Sequence, residues 1–209
     1  MKKLAPKYLI GIDEVGRGPI AGPVAVGAFR ISMKDLSKVK RIFRGVKESK
    51  QLSEQQREGW FGIIEQAQQK GLIDFCVTFQ SEKIIDGKGL SFSIKKALAD
   101  SLKAVSLVAK SARECQVLLD GGLKAPKEFT DQKTIIKGDE KEMVIALASI
   151  CAKVLRDRKM NKLGKKHSAY GFEIHKGYGT RKHYEAIKKY GLLPTHRRLF
   201  LRKFLERAD

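Results

Sequence analysis

The segment from Met143 to Leu155 constrains the fold of this chain most strongly, because it reads as a helix that is apolar almost all round. A helix without a polar face must be enclosed by other elements. With 209 residues, 42% of them hydrophobic, the chain is long enough to enclose it in one well-buried core. We therefore expect a layered fold around this helix, which Asp139 would begin as N-cap, with Glu142 three residues later.

Apolar runs bounded by turn residues predict strands at 8–13, 24–31, 72–79, 116–120 and 134–136, the first two forming a hairpin. Helices are predicted at 53–70, where Ser53 and Gln56 form a capping box, and at 91–110, 180–190 and 198–207. Residues 34–50 read as charged and irregular. We expect a single α/β domain with a mixed sheet flanked by helices. Its catalytic core would span about 1–160, with a basic helical extension over about 161–209.

The charge balance predicts a surface that attracts polyanions. Lys and Arg number 43 against 23 Asp and Glu, a formal net charge of +20. Nucleic acid, an anionic membrane surface and an acidic protein all fit such a surface, as does a merely solvated basic face. No apolar run approaches membrane-spanning length, and the N-terminus lacks the long apolar stretch of a secretory signal, so we expect a cytoplasmic protein.

The cysteines are three, far apart, and without the Cys-x-x-Cys spacing of a zinc or redox site. We expect free thiols in a reducing compartment. Their neighbours predict that Cys76 and Cys151 lie in the core, whereas the burial of Cys115 is left open.

Acidic residues at the ends of predicted elements are candidates for a site. Asp13 and Asp120 each end a strand and are followed closely by glycine, and Asp157 lies at the end of the apolar helix. Glu14 follows Asp13, so both face one site only if the strand breaks there, which the glycines after it favour. Neighbouring strands would bring Asp13 and Asp120 together, because ligands bind where strands end.

Four acids that converge would favour divalent cations. Mg²⁺ and Mn²⁺ take oxygen ligands, and two such ions can activate water and stabilise the leaving oxygen in phosphodiester hydrolysis. A simpler interpretation stays open at this point. An aspartate that ends a strand is usually a turn residue or a cap, and Asp157 with Lys153 fits a helical i, i+4 salt bridge.

Six segments resemble, in order, the signature of the ribonuclease HII family, the type 2 ribonucleases H. They are Gly11-Ile12-Asp13-Glu14-Val15-Gly16-Arg17-Gly18-Pro19 with Gly22-Pro23-Val24, Ser49-Lys50-Gln51-Leu52-Ser53, Leu119-Asp120-Gly121, Lys137-Gly138-Asp139 with Ala148-Ser149-Ile150-Cys151-Ala152-Lys153-Val154-Leu155-Arg156-Asp157, Gly177-Tyr178-Gly179-Thr180, and His196-Arg197-Arg198-Leu199-Phe200.

The resemblance implies a ribonuclease H-like fold and a metal-dependent endonuclease. Its substrates would be RNA–DNA hybrids and ribonucleotides embedded in duplex DNA, cut on the 5′ side of the ribonucleotide to leave 5′-phosphate and 3′-hydroxyl ends. It implies that two Mg²⁺ or Mn²⁺ ions act during catalysis, and that a sliding clamp is an allowed partner, although 199–209 contains no convincing clamp-binding peptide. We expect a monomer that does not bind membranes.

The resemblance also assigns residues. Asp13, Glu14, Asp120 and Asp157 would be catalytic and hold the metal, Gly16-Arg17-Gly18 would read the ribose 2′-hydroxyl through close main-chain contacts, and Tyr178 would pack on a sugar. Without the family, Tyr178 reads as a loop aromatic. The remaining assignments are basic residues near phosphate: Lys50 and Lys153 at the site, and Arg158, Lys159, Lys162, Lys165, Lys166, Arg181 and Lys182 along the duplex, where a solvated face is the alternative.

The sequence departs from the family pattern at Gly89-Leu90, where Asn-Ile is usual after Ile85-Asp86, and at Leu199, where Ser is usual. The sister type, ribonuclease HIII, carries an extra N-terminal domain and Lys in place of Arg17. Here the first strand is expected to begin by about Lys7, which leaves no room for such a domain, and residue 17 is Arg. Both features favour ribonuclease HII. A non-catalytic nucleic-acid-binding module is the rival of another class, but acids facing phosphates would weaken its binding.

Overall fold

Five strands form one mixed sheet in the computed structural model, which describes residues 5–206. They are β1 (Tyr8–Val15), β2 (Val24–Ser32), β3 (Ile73–Gln80), β4 (Cys115–Asp120) and β5 (Asp131–Ile135), in the order β3-β2-β1-β4-β5. β1 pairs antiparallel with β2, as the predicted hairpin requires, and β2 with β3. β4 runs parallel to both β1 and β5. The predicted mixed α/β sheet is confirmed.

The helices cover both faces of this sheet. They are α1 (Leu36–Ile42), α2 (Glu54–Gln69), α3 (Glu82–Lys88), α4 (Leu90–Ser106), α5 (Gly138–Lys141), α6 (Met143–Lys166), α7 (Phe172–His175), α8 (Arg181–Tyr190) and α9 (Arg198–Leu205). The capping box of Ser53 and Gln56 is present at the start of α2. The prediction for 34–50 missed α1, which is seven residues long and buries only Val39. Two turns are too short to show a helical period.

The apolar helix is buried as predicted, because the first half of α6 packs directly on β1 and β2. Glycines make this approach close. A Cβ built on Gly11 would lie 2.2 Å from the main-chain oxygen of Val144, and one on Gly27 would lie 2.4 Å from that of Ala148. The opposite face of the sheet is covered by α4.

The predicted start of this helix is wrong. Lys137, in the left-handed conformation with φ 54°, precedes the short helix α5, and Glu142 is extended and separates α5 from α6. Asp139 therefore lies inside α5, and its side chain caps no helix. Its Oδ2 lies 3.5 Å from Nζ of Lys50 instead.

The basic C-terminal part is helical as predicted and packs on the core through its own apolar cluster. The departure from the family pattern at Gly89-Leu90 leaves Asp86 with a clear contact. Its carboxylate accepts the N–H groups of Arg198 and Leu199 at 2.9 and 3.0 Å and so caps α9. Within residues 5–206, none of the helices has the length and apolarity needed to cross a membrane.

All three cysteines are free thiols. Cys151 is buried as predicted and Cys115, left open by the sequence, is buried too. Cys76 is only partly buried, because β3 is an edge strand of the sheet.

Candidate active site

The first three predicted acids meet where β1 and β4 end. The parallel register pairs Ile12 with Leu119, so the next residues along the two strands are Asp13 and Asp120. β1 continues to Val15 along β2, so the strand break expected for Glu14 does not occur before Gly16. Because β4 stops at Asp120, the last residues of β1 border an open end of the sheet.

A cavity of about 250 Å³, here called the site cavity, opens at this point. Asp157 is absent from its lining, which consists of Asp13, Glu14, Val15, Gly16, Arg17, Gly18, Ser49, Lys50, Asp120, Ser149, Lys153 and Tyr178. The structure therefore brings together three of the four predicted acids and all six predicted substrate-binding residues.

Asp13 is the most perturbed acid of the site cavity. It is 5% exposed, and burial, together with the carboxylates of Glu14, Asp120 and Asp139, raises its pKa to about 8. A hydrogen bond from Ser149 opposes this rise, and the Ser149 hydroxyl lies 2.8 Å from that of Ser49. A neutral buried carboxyl is the expected state when acids crowd together without a cation.

Glu14 has one satisfied and one unsatisfied oxygen. Oε1 accepts a hydrogen bond from Nη1 of Arg17 at 2.7 Å, whereas Oε2 is buried and has no partner among the described residues. Burial raises the pKa of Glu14, and Arg17 opposes the rise. The third acid, Asp120, accepts the N–H of Gly138 at 2.6 Å.

Asp157 is buried but lies outside the lining of the site cavity. Nζ of Lys153 lies 2.8 Å from its carboxylate, and Nη2 of Arg57 lies 3.6 Å from it. The i, i+4 salt bridge that the spacing allowed is thus present. Lys153 itself lines the site cavity, and burial lowers its pKa.

Asp139 is an acid that the sequence analysis did not assign to the site. It is 5% exposed, and its charge raises the pKa of Asp13 and, against the effect of burial, that of Lys50. A signal for this acid is present in the sequence, because Asp139 ends the Lys137-Gly138-Asp139 segment of the family signature, but its local pattern also fits a helix cap.

The Gly-Arg-Gly loop, residues 16–18, forms one rim of the site cavity and Tyr178 lies beside it. Gly16 has φ +89°, which favours glycine. A Cβ built on Gly18 would lie 3.7 Å from Cε1 of Tyr178, whose side chain is about half exposed. Two fully buried arginines, Arg156 and Arg197, lie under this region and were not predicted, because each stands in a basic stretch of sequence where a buried arginine looks like any surface cation.

Histidines hold the segment that carries Tyr178. Nε2 of His183 and Nε2 of His196 lie 3.1 Å apart, and Nδ1 of His183 lies 2.8 Å from the Tyr178 carbonyl oxygen. Nδ1 of His196 accepts the Leu193 N–H at 2.8 Å, so its Nε2 carries the proton and donates to His183. His183 then donates to Tyr178 from Nδ1. Burial lowers the pKa of His183 to about 4 and also lowers the pKa of His196, so both rings are neutral.

The predicted basic surface is partly engaged within the protein. Arg158 donates two hydrogen bonds to Glu58, at 2.6 and 3.1 Å, and Arg181 donates to Glu185 at 2.7 Å. Lys159 lies 4.2 Å from the centre of the Phe79 ring. The lysines of the second half of α6 line shallow grooves beside Phe79: Lys159, Lys162, Lys165 and Lys166.

Comparison with known sequences places this geometry in a family. The sequence model of ribonuclease HII matches residues 10–203. The ribonuclease HII of Bacillus cereus strain AH820 is 42% identical over 193 residues, which cover 92% of this chain and 68% of that protein. The ribonuclease HII of Ruminiclostridium cellulolyticum is 39% identical over 199 residues, covering 95% and 72%.

Solved structures agree in fold. The ribonuclease H2 of Pyrococcus horikoshii OT3 superposes with a TM-score of 0.72 at 29% identity, covering 96% of this chain and 98% of that one. A Bst ribonuclease HIII in complex with Mn²⁺ gives a TM-score of 0.70 at 20% identity, covering 99% and 72%, and supports the fold alone. From the family match and the identity over most of its length, the chain belongs to the ribonuclease HII family and is an endoribonuclease.

Proposed function

We propose that the chain cuts the RNA strand of RNA–DNA hybrids and cuts duplex DNA on the 5′ side of an embedded ribonucleotide, leaving 5′-phosphate and 3′-hydroxyl ends. One observation carries the proposal: the acids at the ends of β1 and β4 share a cavity with a glycine loop and an exposed tyrosine. Glycine permits close approach of a main chain to a sugar, and the 2′-hydroxyl distinguishes RNA from DNA.

The acids suit divalent cations. Oε2 of Glu14 is buried without a partner, and Asp13 is crowded by three other carboxylates, so a cation would satisfy the first and relieve the second. The described residues contain no set of three or more Asp, Glu, His or Cys side chains already close enough to hold an ion. A cation would therefore draw the carboxylates together on binding.

We assign two Mg²⁺ or Mn²⁺ ions to these oxygens, and the Mn²⁺ complex of the ribonuclease HIII relative is consistent with that choice. Such ions would lower the pKa of the attacking water and stabilise the departing 3′ oxygen. Other residues of the chain orient the carboxylates that would bind these ions. Arg17 orients Glu14, Ser149 orients Asp13, and the N–H of Gly138 orients Asp120.

The fourth ligand is either of two acids. The sequence proposes Asp157, but its carboxylate is paired with Lys153 and Arg57. Asp139 lies outside the lining of the site cavity as well, but its charge is one of those that raise the pKa of Asp13. We propose that Asp139 completes the metal site and that Asp157 orients Lys153 toward substrate phosphate.

Calorimetric titration of Mn²⁺ into Asp139→Asn and Asp157→Asn separates these roles. We expect Asp139→Asn to weaken metal binding at least tenfold and Asp157→Asn to leave it within about threefold, with cleavage reduced in both. The reverse order would return Asp157 to the metal site.

The remaining contacts belong to the duplex. Tyr178 would pack on a sugar, Lys50 and Lys153 would contact phosphate near the cut, and the α6 lysines with Arg181 and Lys182 would track the backbone. The chain would act as a cytoplasmic monomer. A solved relative from Archaeoglobus fulgidus is a complex of ribonuclease HII with PCNA, and it matches in fold at 24% identity. A sliding clamp is therefore a proposed partner of this chain.

Cleavage of a DNA duplex that carries one ribonucleotide tests the function directly. Wild type and Asp120→Asn are compared with Mg²⁺, with Mn²⁺ and with chelator. We expect metal-dependent cutting on the 5′ side of the ribonucleotide that is lost in the variant. A wild type that binds this duplex and a longer hybrid but cuts neither would instead be a binding module.

A further inference from the structure

Arg197 is fully buried beneath the Gly-Arg-Gly loop and donates only to main-chain oxygens. Its Nη2 donates to the Gly16 carbonyl at 2.7 Å, its Nη1 to that of Arg17 at 3.0 Å and its Nε to that of Gly22 at 2.8 Å. It forms no salt bridge within residues 5–206. A buried cation used in this way fixes the direction of the peptides that it binds.

Those peptides determine where the loop's own donors point. In a trans peptide the C=O and the following N–H point in opposite directions, and the described chain contains no cis peptide. With the carbonyls of Gly16 and Arg17 aimed at Arg197, the N–H groups of Arg17 and Gly18 aim away from it. Neither N–H has an acceptor in the described part of the chain. Two successive free N–H groups form a concavity that binds an oxygen.

Arg197 also ties this loop to the segment of Tyr178. Its own N–H donates to the Ile20 carbonyl at 2.8 Å, and the Ile20 N–H donates to the Gly177 carbonyl at 2.9 Å. The other buried arginine, Arg156, binds the carbonyls of Pro23, Lys176 and Ala21, and none from the Gly-Arg-Gly loop. Arg156 packs against Gly16, but among the described side chains only Arg197 donates hydrogen bonds to the loop's carbonyls.

We infer that Arg197 is a positioning residue for ribose recognition: it holds the Gly-Arg-Gly loop with the Arg17 and Gly18 amides presented to the 2′-hydroxyl oxygen of the ribonucleotide. The inference rests on the proposed function. It assigns sugar discrimination to a residue that does not touch the substrate and lies about 180 positions along the chain from the loop.

The test compares binding of two duplexes of one sequence, with and without a single ribonucleotide, in chelator to prevent cleavage. Arg197→Lys keeps the charge but loses the planar set of guanidinium donors. We expect it to reduce the preference for the ribonucleotide duplex, measured as the ratio of the two Kd values, about tenfold. The Kd for the all-DNA duplex should stay within about twofold, because phosphate contacts remain. Leu102→Ala, a buried change on α4 on the far face of the sheet, is the stability control and should keep the preference.

Each result has a defined meaning. A folded Arg197→Lys protein that keeps the wild-type preference refutes the inference and leaves the proposed function intact. A wild type that shows no preference for the ribonucleotide duplex, and cuts neither that duplex nor a longer hybrid with metal present, refutes both. If Arg197→Lys does not fold, amide NMR of the wild type replaces it: the Arg17 and Gly18 resonances must shift with the ribonucleotide duplex and not with the all-DNA duplex, and equal shifts overturn the inference.

Discussion

Replacing Asp13 with Asn should make the metal-free protein more stable while abolishing its activity. Asp13 is 5% exposed and crowded by other carboxylates. The fold therefore resists its ionisation, whereas the unfolded chain ionises it freely. Asn has the shape of the neutral carboxyl and carries no charge, so the substitution removes the penalty and keeps the packing.

The size of the effect follows from the raised pKa. The folded-state pKa of Asp13 is about 8, and the unfolded value is about 4. Between these values the folded state binds more protons, so the contribution of Asp13 to stability falls as pH rises from about 4 to 8 and is level above that. At pH 7 the pH lies roughly three units above the unfolded pKa of Asp13. Asp13 therefore lowers the free energy of unfolding by at most about 4 kcal/mol at this pH.

Urea denaturation in chelator measures this difference. We expect Asp13→Asn to match wild type near pH 4 and to exceed it progressively up to pH 8, by one to a few kcal/mol at pH 7. Adding Mn²⁺ should stabilise wild type more than the variant, because a cation that binds the folded state reverses the penalty. An Asp13→Asn protein that is less stable than wild type at pH 7, or a difference that does not change with pH, would refute the reasoning.

Further predictions concern packing, pH and salt. Gly27→Ala should lower the free energy of unfolding by about 1–3 kcal/mol, because its Cβ would meet the Ala148 main-chain oxygen. The control Gly62→Ala, in open space on α2, should raise the free energy of unfolding by about 0.5–1 kcal/mol. Equal effects of the two substitutions in thermal denaturation would contradict the close approach of α6. The pKa of His183 is lowered to about 4. Its contribution to the free energy of unfolding should therefore be complete above about pH 6.5 and fall by about 3 kcal/mol as the pH drops toward 4. His183→Asn should flatten that part of the stability curve, and an unchanged slope would count against the buried neutral ring. Binding to a duplex should weaken steeply with salt, and a Kd that stays level from about 50 to 200 mM would argue against backbone contacts.

The sequence was sufficient for the elements whose pattern is long or repeated. The α6 helix, the hairpin and the α2 capping box were all predicted, because period and cap residues are local signals. The expectation that neighbouring strands end at the same edge of the sheet predicted that Asp13 and Asp120 lie together. The family signature supplied the Gly-Arg-Gly loop and Tyr178, for which periodicity carries no information.

What the sequence missed depends on contacts between distant residues. Asp139 looked like a helix cap because the break at Glu142 has no local marker. Arg197 looked like one more cation of a basic tail, since its partners are carbonyls nearly the whole chain away. For Asp157, the local pattern is compatible both with the salt bridge, which the structure contains, and with a metal ligand, which stays a prediction.

The span between Arg197 and the loop that it holds has a consequence for how the enzyme is made. The sheet needs strands only as far as Ile135, so a growing chain can form its scaffold and its acids well before Arg197 leaves the ribosome. The loop acquires its clamp only when the segment before α9 folds back across the first strand, a closure of high contact order. We expect a chain that stops before Arg197 to fold around its sheet yet to treat ribose and deoxyribose alike, so that chemistry and sugar selectivity mature at different moments of synthesis.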